Sequence, residues 1–206
     1  FGCKFKSKKI GSFGDIVCFS FDGIKNITSG EGGAIITKDT DVLSIVKDAR
    51  LLSIEKDSEK RYYGERSWDF DVKRQGYRYH MSNIFAAIGR VQLSRFDIDF
   101  APKRISLLNK YKELLKENSL VVFQDQEDQS YLVPHICSVR ILNNKRDEIK
   151  EMLERKNIPT GIHYKPNHLL SFYKSNYNLP ITEKAYNEIL TLPLHPEIEI
   201  FEVEQI

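Results

Sequence analysis

From residue 15 to residue 38 the chain passes through a mostly apolar run, IVCFSF, then a stretch rich in Gly, Ser and Thr, then a second apolar run, GGAIITK. Short apolar runs bounded by turn-forming residues predict a strand, a loop and a second strand. Past Thr40, residues Val42, Ile45, Val46, Ala49 and Leu52 recur at helical spacing with Asp39 or Thr40 placed to cap, which predicts an amphipathic helix covering the strands. Residues 54–79 have no sustained period. They mix charges and aromatics (KRYYGERSWDFDVKRQGYRYH) and predict a long ordered loop of the kind that carries function.

Ser82 is placed to cap a further helix, with an apolar face of Ile84, Ala87, Ile88, Val91, Leu93 and Phe96 that resumes through Ile105, Leu108, Tyr111 and Leu115. Pro102 is expected to kink or restart it. The last ninety residues predict strands over 120–123 and 136–141, a helix over 146–156, an extended GIHY segment and a helix over 183–190, an α+β pattern. The expected organisation is therefore an α/β portion over residues 1–100 and a small α+β domain over residues 101–206.

At 206 residues there is ample length for a core. With 41% apolar and 29% charged residues, 12 Phe and 10 Tyr, the composition is that of a folded globular chain. Thirty-one basic against 29 acidic residues leave a net charge of +2. The charges are mixed along the chain, which gives no footprint for nucleic acid or an anionic membrane. No stretch approaches the ~18 apolar residues of a membrane-spanning helix. Cys3, Cys18 and Cys137, odd in number and without a CxxC pair, point away from a disulfide framework or a thiolate zinc site and toward a reducing cytoplasm. The chain starts at Phe1 with no signal-peptide pattern, so it reads as the interior of a longer polypeptide.

Chemistry concentrates in FSFDGIKNITSGEGGAI. Ser20, Thr28 and Ser29 offer hydroxyls, and Gly30, Gly32 and Gly33 permit close backbone approach. Lys25 lies between two apolar runs, where partial desolvation would favour the neutral amine that attacks a carbonyl. Spacing alone leaves open that Lys25 is an ordinary solvated lysine. His163 and His168, five apart with Pro166 between them and no carboxylate cluster nearby, do not make a metal site.

The S-x4-K arrangement followed by NITSGEGGAI resembles the active-site lysine segment of the DegT-type sugar aminotransferases, pyridoxal-phosphate enzymes of fold type I acting on nucleotide-linked keto-sugars. KSKKIGSFGDIVCFSF is similar to the approach to that lysine, GYRYHMSNIFAAIGRVQL to the family's GYNYRM block, GIHYKPNH to its HYPxPxH block, and LTLPLHPEI to its near-terminal SLPxxPxL block, all in family order. The resemblance implies a partial large cofactor domain followed by a C-terminal α+β small domain. It implies that Lys25 holds pyridoxal 5'-phosphate covalently and moves protons, and that Ser20 binds its phosphate. Arg78 and His80 stand where the family has Asn and Arg on a block delivered across a homodimer interface to the neighbour's phosphate. His163 and Tyr164 match a pair near the sugar, with Lys165 in place of the usual Pro.

The implied reaction converts a nucleotide-linked keto-sugar to an amino-sugar with an amino-acid donor. Two alternatives accompany it: the family's sugar dehydratases, in which His replaces the lysine, and a non-catalytic dimerisation or sugar-binding remnant. The family's pyridinium-pairing Asp and ring-stacking aromatic precede the equivalent of Phe1, so these 206 residues by themselves are expected to be inactive.

Overall fold

The structure, a computed structural model, describes residues 1–14, 16–54, 63–64, 70–125 and 130–206. The chain divides into two compact units, one of Phe1 with Lys8–Phe96 and one of Gly2–Ser7 with Asp97–Ile206. The segments at 55–62 and 65–69, which hold much of the expected long loop, lie outside the described residues.

Short strands β1 (Lys4–Phe5) and β2 (Lys8–Lys9) precede the main feature of the first unit, an antiparallel hairpin of β3 (Ile16–Ser20) and β4 (Gly33–Thr37). Its register runs from Ile16 opposite Thr37 to Ser20 opposite Gly33. Alternation half-buries Val17 and Phe19 on one face of β3 and leaves Ile16, Cys18 and Ser20 exposed. The Phe19 ring meets Phe1 edge-on at 5.3 Å, and Phe1 meets Phe96 at 5.0 Å. Helix α1 (Thr40–Ala49) starts as its spacing predicts, with the Asp39 carboxylate accepting from the amides of Asp41 and Val42. It buries no residue, and Ile45 and Leu43 remain largely exposed.

Helix α2 (Asn83–Arg95) is capped by Ser82, whose Oγ accepts from the Phe85 amide. Of the apolar face Ile84, Ala87, Ile88, Val91, Leu93 and Phe96, only Phe96 is buried among the described residues, and Ile84 and Val91 are more than half exposed. The covered side carries Ala86, Gly89 and Gln92, because what packs there is a loop of backbone amides, which needs close approach and an acceptor more than aliphatic bulk. A π-helical turn, Phe96–Phe100, leads into α3 (Ala101–Leu114), where Pro102 sits in the first turn at the break in regular α geometry.

In the second unit, β5 (Val121–Phe123), β7 (Cys137–Ile141) and β8 (Ile189–Leu192) form an antiparallel sheet with β7 central. A two-residue strand β6 (Ser130–Tyr131) pairs with β1. Cys137, Val139 and Ile141 alternate onto the core face of β7, where Leu190, Leu192, Leu107, Tyr111, Val203 and Leu153 of α4 (Arg146–Arg155) complete the core. The helix expected over 183–190 instead runs Pro180–Glu188 (α5), and Ile189–Leu192 is strand. Pro180 is tolerated in the first helical turn, whereas Pro193 ends any helix that would continue through ILTL; pairing with β7 settles those four residues as β. A one-turn helix, α6 (Ile200–Val203), closes the chain with a Glu199/Glu202 capping box.

Candidate functional site

The loop from Phe21 to Gly32 is held from within and from below. The Phe21 amide donates to the Gly32 carbonyl at 2.8 Å, and the Ser29 amide donates to the Phe21 carbonyl at 2.9 Å. Thr28 Oγ1 donates to Phe21 O and accepts from the Gly30 amide, and the fully buried Ser29 hydroxyl donates to Glu31 O. These two hydroxyls, offered by the sequence as ligand groups, are thus spent on loop shape. Asn26 and Ile27 are buried, with the Asn26 amide donating to Phe1 O.

The same loop rests on the GYRYHMSNIFAAIGRVQL block. Gln92 Oε1 accepts from the Thr28 amide at 3.4 Å, and Phe85 lies over Gly30. Gly32, at φ +149°, has Met81 so close that a Cβ would fall 2.5 Å from its methyl carbon. Two motifs sixty residues apart in sequence therefore form one packed structure.

Lys25 sits on the upper turn of this loop, its amide donating to Asp22 O at 3.1 Å, half-buried while its neighbours Asn26 and Ile27 are pulled inside. It has no ion pair with any described residue. Ser20, five residues earlier at the end of β3, is exposed; its Oγ accepts from the Asp22 amide at 3.4 Å, which leaves the hydroxyl proton for another acceptor. An uncommitted amine and an uncommitted hydroxyl donor on one rigid hairpin end fit a carbonyl-bearing phosphate ester such as pyridoxal phosphate.

Arg78 and His80 belong to the same unit. Residues 77–79 are strung along the end of α1: the Tyr77 and Tyr79 amides donate to the carbonyls of Ala49 and Arg50, and Leu52 N donates to Tyr77 O. Tyr77 and Tyr79 stack at 4.9 Å and 7° between planes, while Arg78 and His80 are exposed. His163 and Tyr164 belong to the other unit. His163 Nδ1 lies 2.9 Å from Thr191 Oγ1, and the Tyr164 ring meets the His163 ring edge-to-face at 4.7 Å with Tyr164 itself 68% exposed. His168 pairs through Nε2 with Glu183 at 3.1 Å. Thr191 was not singled out by the sequence reading; its one signal is a hydroxyl in an otherwise aliphatic strand, ILTL. Among the described residues no group of three or more His, Cys, Asp or Glu is placed to hold a metal ion, and no helix is long and apolar enough to cross a membrane.

The chain is 34% identical over 200 residues to GDP-perosamine synthase of Escherichia coli O157:H7, covering 96% of this chain and 51% of that protein. It is 30% identical over 205 residues to the UDP-4-amino-4,6-dideoxy-N-acetyl-beta-L-altrosamine transaminase of Campylobacter jejuni, covering 97% and 52%. Spr1654 of Streptococcus pneumoniae, solved in a PLP form, superposes with a TM-score of 0.83 at 25% identity over 100% of this chain and 53% of that one; its PMP form gives 0.84. The chain spans about half the length of the curated relatives it matches. Over all of residues 1–206 it matches the DegT/DnrJ/EryC1/StrS aminotransferase family, and it belongs to that family.

Proposed function

We propose that this chain supplies the lysine-bearing half of a PLP-dependent aminotransferase that converts a nucleotide-linked keto-sugar to an amino-sugar at the expense of an amino acid. The observation that carries the reading is Lys25: an amine with no ion pair among the described residues, on a loop fixed by Thr28, Ser29 and Gln92, with the Ser20 hydroxyl at the same hairpin end. Residues 1–100 are read as the C-terminal part of the large fold type I domain, and residues 101–206 as the small domain.

Bound PLP supplies a carbonyl carbon for amine attachment and a ring that accepts the electron pair of the broken C–H bond. Lys25 would hold the cofactor through Nζ and, when its amine is free, would carry the proton between the donor's α-carbon and the cofactor's carbonyl carbon, and in the opposite sense to the sugar carbon that receives the amine. Ser20 Oγ, with its proton uncommitted, would donate to a phosphate oxygen and help hold the cofactor beside Lys25. In a homodimer, Arg78 and His80 of one subunit would contribute side-chain donors to the neighbour's phosphate, Arg78 making a charge-assisted contact where the family has a neutral Asn amide. His163 and Tyr164 meet the sugar nucleotide. A lysine at position 25, where the related dehydratases carry His, favours amino transfer. Three unpaired cysteines suit a reducing cytoplasm.

The test is borohydride reduction of the full-length protein with PLP, followed by peptide mapping. Label on Lys25, and loss of turnover with retained folding in Lys25→Ala, are expected. Label on another lysine, or no visible absorbance with PLP at all, overturns the reading and leaves the non-catalytic alternative.

A further inference from the structure

The near-terminal block LTLPLHPEI has no part in the reaction as described, yet it is joined to the GIHY segment more closely than packing requires. Gly161 and Thr191 exchange both backbone hydrogen bonds, at 3.0 and 2.7 Å. On the adjoining positions of β8, Leu190 is fully buried and Leu192 is 7% exposed, both anchored in the core, so the backbone at Thr191 has no freedom to shift. Thr191 itself is 7% exposed. At such a site Val would be the isosteric apolar choice, and a hydroxyl is retained at the cost of desolvating it. That hydroxyl has one partner among the described residues, the His163 ring, 2.9 Å from Nδ1.

Two further contacts restrict the same ring. The imidazole lies against Gly161, so closely that a Cβ there would lie 2.6 Å from Cε1 and 3.2 Å from Nδ1. Tyr164 stands perpendicular to it at 4.7 Å. The ring is thus fixed by a hydrogen bond at Nδ1, the close approach of Gly161 and the perpendicular ring of Tyr164. Its remaining nitrogen, Nε2, has no hydrogen-bond partner among the described residues. A buried hydroxyl committed to one ring nitrogen while the other is left open is how a histidine is aimed at a ligand.

We propose that Thr191 is a positioning residue for His163: its hydroxyl holds Nδ1 so that Nε2 is presented, in one orientation, to a polar oxygen of the nucleotide-sugar. The inference rests on the reading of His163 and Tyr164 as substrate contacts, and its experiment separates the two. In the full-length enzyme with histidine rings labelled with 15N, the His163 resonances of wild type and Thr191→Ser should report a hydrogen-bonded Nδ1. Thr191→Val should shift the Nδ1 signal toward that of an unconstrained ring while thermal unfolding stays within a few degrees of wild type. Unchanged His163 resonances in Thr191→Val overturn the positioning role whatever the binding data show.

Calorimetric titration with UDP-N-acetylglucosamine and with GDP-mannose forms the second arm. Thr191→Val and His163→Ala should each weaken the tighter of the two by about tenfold, the double variant no more than either single one, with Thr191→Ser near wild type. If His163→Ala binds like wild type, or neither sugar nucleotide binds at all, the substrate reading of His163 fails, and the resonances alone decide the role of Thr191. Additive losses in the double variant show that Thr191 does not act through His163.

Discussion

Gly76 lies directly against the backbone of Leu52: a Cβ at Gly76 would come within 2.2 Å of the Leu52 carbonyl carbon and 2.3 Å of the Ser53 amide nitrogen. Leu52 and Ser53 both adopt left-handed conformations, at φ 62° and 55°, and the buried Ser53 hydroxyl donates to Gln75 O at 3.0 Å. The glycine that opens the GYRYHM block is therefore the point at which residues 75–79 are brought onto the end of α1, and Arg78 and His80 project from the segment so fixed.

The first expectation follows from that contact. Gly76→Ala sets a methyl group against backbone that no rotamer change can move, so it should destabilise the first unit by about 3 kcal/mol or more. Gly14→Ala, where nothing lies within 4 Å, is the control and should be close to neutral. Equal melting temperatures for the two variants would show that the 75–79 segment yields freely.

A second concerns Arg104, which is 4% exposed on α3 and directs Nη1 at the carbonyls of His135 (3.1 Å), Leu194 (3.4 Å) and Pro134 (3.5 Å). Burial pulls its pKa below the ordinary arginine value. Arg104→Met fills similar volume but leaves those carbonyls without their donor, and a loss of about 3 kcal/mol in denaturant unfolding is expected. A change under about 0.5 kcal/mol would mean that the guanidinium contributes no net stabilisation.

Buried acids in the second core set the alkaline limit of the fold. Burial pushes the Cys137 thiol up to about 12, and burial, reinforced by the nearby Cys137, raises Tyr111, whose hydroxyl donates to Pro193 O at 2.9 Å. Both groups stay protonated in the folded state at a pH where the unfolded chain has begun to lose those protons, near 8.5 for a thiol and 10 for a phenol. The unfolded state then binds fewer protons, so stability is intact below about pH 8.5 and falls as pH rises toward 12, by at most ~1.4 kcal/mol per pH unit for each group. Unfolding free energies at pH 8, 9 and 10 should decline, and Cys137→Ala should flatten the decline. The same slope in that variant would assign the effect elsewhere.

What the sequence made legible follows from which interactions decide each element. The β3–β4 hairpin, Asp39 and Ser82 as caps, and β7 are set by alternation and local hydrogen bonds, which short windows of sequence contain. Strand β8 was misread because ILTL follows a helix without a break, and only its pairing with β7 makes it extended. Helix α2 lies where its spacing put it, but apolar spacing marks a surface without saying what covers it, and within the described residues Ile84 and Val91 stay exposed. Lys25 and Ser20 stood out as candidates only through the resemblance of their segment to the family's lysine motif, since spacing alone left Lys25 open. The parts played by Gln92, Gly161 and Thr191 are contacts across 64 and 30 residues, which no local pattern encodes.

The last expectation tests whether the block fixed by Gly76 serves its own chain's lysine or a neighbour's. If the neighbour's, a dimer mixing a Lys25→Ala subunit with an Arg78→Ala, His80→Ala subunit has one site with both defects and one with neither. Such a heterodimer should recover about half of the wild-type rate, while each variant alone, as a homodimer with one defect in every site, stays depressed. If instead the block completed the site of its own chain, the heterodimer would hold one site lacking the lysine and one lacking the cations, and mixing would restore nothing. Verified heterodimers, purified through two different affinity tags, separate these outcomes by activity alone, because subunit arithmetic fixes the expected recovery independently of how strongly Arg78 and His80 bind phosphate.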